Sequence, residues 1–327
     1  MRRCIILVSL IGLALPVAAV ERPLHTYSIV ARDPATGDLG VAVQSHWFSV
    51  GSIVTWAEAG VGAIATQSFV EPAYGPRGLE LMGSGLTATQ ALEALVSVDP
   101  GKAVRQVAFV DARGEVATHT GASCIESAGH LTGDGFSVQA NMMRGDEVVP
   151  AMKSAFEGAT GDLADRMLAA LEAAQAAGGD IRGRQSAAML IVRGESTGRP
   201  WADRVLELRV EDHAEPLAEL SRLLTVHRAY EHMNAGDVAV EHGDLDRAMA
   251  EYGRAAELLP DNLEVQYWAA ITLATSGDLA TAKPMFERVF AADPSWIELT
   301  RRLTKPGIIP DTEEGAALVE RIAAIAK

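Results

Sequence analysis

Six positions in the C-terminal part of the chain recur at a single spacing. Gly243-Asp244-Leu245 returns as Gly277-Asp278-Leu279, Ala248 as Ala282, Tyr252 as Phe286 and Pro260 as Pro294, each 34 residues on. A repeat of that length is a helix–turn–helix unit, whose apolar face only a neighbouring unit can cover. The residue types fit such a stack. Ala248 and Ala282 let paired helices approach closely, Tyr252 and Phe286 fill the space between them, and Pro260 and Pro294 stop the second helix of each pair.

This pattern resembles the tetratricopeptide repeat, in two units, Ala229–Asn262 and Leu263–Trp296. His232 and Gln266 stand where a large aromatic is usual. Two units leave open ends, which a helix over Leu217–Leu224 and a terminal helix started by Asp311, with Glu314 completing a capping box, are expected to seal. Residues 229–296 are therefore the expected surface for a protein partner or for self-association.

The other end of the chain carries an export signal. Arg2 and Arg3 precede an apolar run from Cys4 to Leu15, and Val17-Ala18-Ala19 supplies the small residues of a signal-peptidase site. The run is short for a membrane span. Cleavage after Ala19 predicts a periplasmic or secreted protein with no membrane span after processing; the alternative is an uncleaved anchor. Cleavage also removes one of the two cysteines and leaves Cys124 a free, buried thiol. A net charge of -15 repels phosphate backbones, so no nucleic-acid partner is expected.

Between these ends the pattern mixes strands and helices. Strands are predicted over Tyr27–Ala31, Leu39–Ser45, Val61–Thr66, Gln106–Asp111, Val116–Thr120, Ala187–Val192 and Arg204–Val210. The first two flank a hairpin loop built from Asp33, Pro34, Thr36, Gly37 and Asp38. Thr87 caps one helix; Thr160 or Asp162 starts another, which Gly178-Gly179 closes. Bunched strands interrupted by helices indicate an α+β domain with a largely antiparallel sheet. The expected division is a signal peptide at 1–19, the mixed domain at 20–212 and the helical domain at 213–327.

Familiar catalytic signatures are missing from the sequence: no phosphate loop, paired CxxC, HExxH or Gly-x-Ser-x-Gly elbow. His46, His119 and His130 lie in the mixed domain without metal-ligand spacing, so neither metal nor cofactor is expected. The hydroxyl of Thr26, at the start of the first strand, remains. A threonine alcohol becomes an effective nucleophile when its own α-amine takes its proton, which requires Thr26 to be the first residue of the mature chain.

The stretches TYSIVARDPATGDLGVAVQSHWFSVGSIVTWAEAGVGAIATQS, YGPRGLELM, TGASCIESAGHLTGDGFSVQAN and ALEAAQAAGGDIRGRQSAAMLIV resemble domain-of-unknown-function family 1028, grouped with the N-terminal-nucleophile (Ntn) hydrolases. The resemblance implies an αββα sandwich and, by analogy, cleavage of an amide bond in a small substrate. It matches Thr26 to a residue that commonly follows the initiator Met directly. Here signal cleavage would leave six residues, Val20 to His25, ahead of it. A second trimming step removes them, or other groups do the chemistry, or there is none.

The resemblance also points to Asn141 and Gln67 as oxyanion donors, although Ala140 replaces a usual glycine before Asn141. Ser45, His46, Thr66 and His130 are candidate substrate contacts, with Ser127 standing where a tryptophan is common near His130. Alternation puts Ser45 and His46 on opposite faces of their strand. The loop Gly179–Ser186 adds Asp180, Arg182, Gln185 and Ser186, the bland reading being that Asp180 merely pairs with an arginine to hold the turn. Pocket shape depends on loops such as Ala73–Arg77. The competing class is a non-catalytic small-molecule-binding or scaffold protein of the cell envelope.

Overall fold

The computed structural model describes residues 26–326. The signal sequence, Cys4 and the six residues before Thr26 lie outside the described residues. In chain order the first region holds β1 (Thr26–Arg32), β2 (Leu39–Ser45), α1 (Gly51–Val54), β3 (Thr55–Glu58), β4 (Gly62–Ser68), α2 (Tyr74–Gly83) and α3 (Ala88–Val98). There follow β5 (Arg105–Asp111), β6 (Val116–Thr120), β7 (Gly129–Gly133), β8 (Phe136–Ala140), α4 (Val148–Gly158), α5 (Leu163–Ala176), β9 (Ser186–Val192) and β10 (Arg204–Val210).

The strands form two antiparallel sheets, one ordered β10-β9-β2-β1-β8-β7 and the other β3-β4-β5-β6. The β1–β2 hairpin is closed as its residues suggest. Asp33 Oδ1 accepts the Ala35 and Thr36 N–H groups, and Gly37 takes φ 81°. Both hairpin strands are buried on both faces because each sheet is covered twice. Tyr27, Ile29 and Ala31 pack with α4 and α5, whereas Val30, Val41 and Val43 meet Ala63, Ala65, Ala108 and Val110 of the other sheet. Helices α2 and α3 cover that second sheet. Gly78 allows this approach, since a Cβ there would stand 2.5 Å from the Phe109 ring. The result is the αββα layering implied by the resemblance.

All seven predicted strands are present, and β3, β7 and β8 add to them. β3 and β7 are short edge strands, four and five residues long, too brief for alternation to register. Ala73–Arg77 is not a loop: Tyr74 to Arg77 form the first turn of α2. Pro76 reads as a helix breaker in sequence but sits in that first turn, where its missing N–H had no intrahelical partner to lose. Thr87 caps α3 in a full capping box with Gln90, and Asp162 caps α5.

The chain continues as α6 (Pro216–Glu241), α7 (Leu245–Leu258), α8 (Leu263–Thr275), α9 (Leu279–Ala292), α10 (Ser295–Arg302) and α11 (Glu313–Ala323). Asp244 and Asp278, the recurring aspartates, cap α7 and α9, and the preceding Gly243 and Gly277 have positive φ. Ala248, Tyr252, Ala282 and Phe286 are all buried. His232 Nδ1 lies 2.7 Å from Glu251 Oε2, and Gln266 donates to the Pro260 carbonyl.

Two expectations are corrected here. Leu217–Leu224 does not seal the repeats: it is the front of α6, and Leu217, Leu220 and Leu224 pack into the core of the sandwich, while Ala229 and Met233 further along pack with the repeats. One helix thus contributes separate apolar patches to both cores. The terminal helix is capped by Thr312, which accepts the Gly315 N–H, one residue later than Asp311. Leu318, Val319 and Ile322 of α11 close the far end against α8 and α9.

Candidate functional site

Antiparallel register lines up three hydroxyls at one end of the larger sheet. Thr26 pairs with Ser45, and Ser45 pairs with Ser186. All three are fully buried, on the face turned toward the second sheet. Thr26 Oγ1 donates to Ser45 Oγ at 3.1 Å. Ser186 Oγ donates to the Trp47 carbonyl and accepts the Val50 N–H, fixing the loop that follows β2.

The second sheet meets this row with amides. Gln67 Nε2 donates to the Thr26 carbonyl at 3.2 Å and to Gln106 Oε1 at 2.8 Å, while its Oε1 accepts from Ser28 Oγ at 2.7 Å. The Asn141 N–H also reaches the Thr26 carbonyl, at 3.1 Å, and Asn141 Nδ2 donates to Gln106 Oε1 at 2.9 Å. Gln67 thus has both amide hydrogens committed, whereas Asn141 Nδ2 commits one, and its Oδ1 is buried without a partner.

Sequence reasoning missed Gln106, Gln139 and Ser28. Gln106 Nε2 also approaches Thr120 Oγ1 and the Gly129 and Ala140 carbonyls, so one side chain ties β5 to β6, β7 and β8. Gln139 donates to Ser28 Oγ. A signal existed: Ser137, Gln139 and Asn141 alternate with Phe136, Val138 and Ala140, a polar stripe on a strand buried on both faces. Ser68 and Met142, directly after Gln67 and Asn141, have φ of 72° and 56°. Left-handed backbone costs an L-residue about 1 kcal/mol and collects where surrounding structure demands a special geometry.

The remaining candidates lie elsewhere. Thr66 faces the opposite side of β4 from Gln67 and donates to the Glu71 carbonyl. His46 lies beyond the end of β2; its N–H donates to Asp180 Oδ2, and its Nδ1 is buried without a partner. Asp180 is 2% exposed and accepts Arg182 through Nε, Nη2 and the backbone N–H. Gln185 donates from its side chain to Asp212 and from its backbone to the Ser45 carbonyl. His130 Nδ1 lies 2.8 Å from Thr120 Oγ1, at the outer end of the Gln106 network. Burial, with His119 nearby, holds the His130 imidazole below its usual pKa.

Cys124 is free and half-buried, and burial pushes its thiol up. Among the described residues no three His, Cys, Asp or Glu side chains converge as metal ligands, and no helix is long and apolar enough to cross a membrane.

Comparison with known proteins gives two family matches. A model of a family of unknown function, DUF1028, matches residues 26–220, and a tetratricopeptide-repeat model matches residues 239–303. The crystal structure of a Silicibacter pomeroyi protein assigned to DUF1028 is 31% identical, with a TM-score of 0.55, covering 62% of this chain and 88% of that one. No curated protein matches.

Proposed function

The chain belongs to the family of unknown function DUF1028, and from that membership we propose that it is an exported hydrolase of an amide bond in a small substrate, activated by proteolysis before Thr26. The observation that carries this reading is the fixing of Thr26 at three points. Its hydroxyl is held by Ser45, and its carbonyl by Gln67 and by the Asn141 N–H. The Asn141 bond continues the β1–β8 ladder, in which Tyr27 faces Ala140, whereas the Gln67 amide and the Ser45 hydroxyl are contacts that a strand residue does not need for pairing.

A cut before Thr26 converts a peptide nitrogen into an amine beside that hydroxyl. The amine takes the Oγ1 proton as Oγ1 attacks the substrate carbonyl, and the second, uncommitted hydrogen on Asn141 Nδ2 stabilises the oxyanion. The proton passes to the departing amine, leaving an ester on Oγ1 that water then hydrolyses. Gln67, with both donors spent, positions Thr26 rather than binding the oxyanion. Activity depends on that cut because it alone creates the amine that takes the Oγ1 proton. The tetratricopeptide-type region supports docking of a protein partner.

A second reading, a non-catalytic scaffold of the cell envelope, is favoured by the closure of the Gln67 network upon itself. Intact-mass measurement of the exported protein separates the two. A mature chain starting at Thr26, with hydrolysis of an acyl-amide panel lost in Thr26→Ala, supports the hydrolase. A stable start at Val20 with no turnover supports the scaffold.

A further inference from the structure

Thr26 and Tyr27 are neighbours on one strand and therefore face opposite sides of the sheet. On the Tyr27 side, a cavity of about 490 Å³ opens between the C-terminal turn of α5, the loop after it and the start of α6. Its walls include Arg144, Glu172, Gln175, Asp180, Arg184 and Glu215. We propose that this cavity is a binding site for a small zwitterion, a free α-amino acid, separate from the Thr26 site.

The electrostatics of the cavity are dipolar. Glu172 and the C-terminal turn of α5, which has no basic residue in its last turn, make one wall negative. The unpaired Arg144 makes the opposite side positive, next to the N-terminus of α6, whose N-cap Glu215 accepts no backbone N–H. Arg184 is already paired with Glu215. Arg144 and Glu172 line the same space and form no ion pair, with each other or with any described residue. The Arg144 stem is held in place over Gly178, where a Cβ would come within 3.1 Å of it. A carboxylate and an ammonium on one small molecule satisfy both groups together.

Behind the Gln175 and Gly183 walls lie buried polar groups that do not themselves line the cavity. Tyr27 donates its hydroxyl to Gln175 Oε1 at 3.1 Å. Gln44, opposite Tyr27 on the same face, is 0% exposed and has both amide atoms without a partner. His46 Nδ1 is buried and unpartnered too, 3.6 Å from where a Cβ of Gly183 would stand on the cavity wall. Unpaired buried polar groups cost stability, and their collection behind one cavity marks a place where a polar ligand adds bonds.

The test is isothermal titration of the full mature chain with each of the twenty common L-amino acids. At least one is expected to bind with a Kd of about 1 mM or tighter, and Arg144→Gln and Glu172→Gln, both at exposed positions, are each expected to weaken it about tenfold or more. The N-acetyl and the carboxamide derivatives of that amino acid should each bind more weakly than the free form. Thr26→Ala should bind it unchanged, which separates this site from the proposed nucleophile. Absence of binding by all twenty overturns the proposal, as does affinity unaltered by both substitutions or equal for blocked and free forms.

Discussion

Thr26 and Ser45 stand directly opposite each other on adjacent antiparallel strands, with the Thr26 hydroxyl donating to the Ser45 hydroxyl at 3.1 Å. The bond orients the Thr26 hydroxyl and leaves the Oγ1 lone pairs open to a substrate carbonyl, while the freed amine takes the proton from the Ser45 bond as attack proceeds. Ser45→Ala removes that acceptor while keeping the strand. In the processed protein it should lower kcat for a Thr26-dependent substrate about tenfold, with KM little changed, and cost about 1 kcal/mol of stability. Steady-state kinetics and urea melts measure the two effects. Unaltered kcat would remove Ser45 from the positioning of the nucleophile.

Gln106 is the hub of the buried network, accepting from Gln67 and Asn141 and donating toward Thr120 and two backbone carbonyls. Gln106→Leu leaves several of these groups buried and unpaired, and the expected loss is about 3–5 kcal/mol. Chemical denaturation followed at the sandwich transition gives the value. A loss under about 1 kcal/mol would mean that the network rearranges around the leucine.

Asp99 ties α2 to β5. Partial burial pushes its carboxyl up, but Arg105, the Gly101 N–H and the Tyr74 hydroxyl outweigh that and hold it below its ordinary value. A carboxyl depressed in the folded state stabilises the fold above its unfolded pKa and loses that contribution as pH falls through the folded value. Asp99→Asn should therefore be less stable than the parent at pH 7, and the gap should close as pH falls below about 4. Melting temperatures of both proteins from pH 7 to pH 2 follow the convergence. A pH-independent gap would assign the effect to packing.

Tyr252 packs its ring over Gly236 of α6, where a Cβ would come within 2.7 Å, and its hydroxyl donates to Asp237 at 2.6 Å. Tyr252→Ala should cost about 3–5 kcal/mol in the helical array. Far-UV circular dichroism should show the helical transition moving to lower temperature. Gly236→Ala, which presses on the same ring from the other side, should destabilise in the same direction by about 1–3 kcal/mol. If neither moves the transition, the α6–α7 contact is not what holds the first repeat.

Local sequence carried the helical array almost completely, because a 34-residue period repeats the same glycine, aspartate and alanine at the same turn, cap and contact. It carried the hairpin as well, since Asp33 and Gly37 close a loop using only their neighbours. By itself, then, the sequence determined seven of the ten strands and the repeat architecture, but not β3, β7, β8 or the first turn of α2. The tertiary structure alone decided that β1 lies inside a six-stranded sheet, that Gln67 turns toward Thr26 while Thr66 turns away, and that Gln106 joins four strands. It also decided that the front of α6 belongs to the sandwich core and, with the end of α5, encloses a charged cavity. The reason is physical: helix caps and turns are set by bonds between residues a few positions apart. The convergence of Thr26, Gln67, Gln106 and Asn141 depends on strand pairing and sheet stacking across a hundred residues, and no short-range periodicity encodes that.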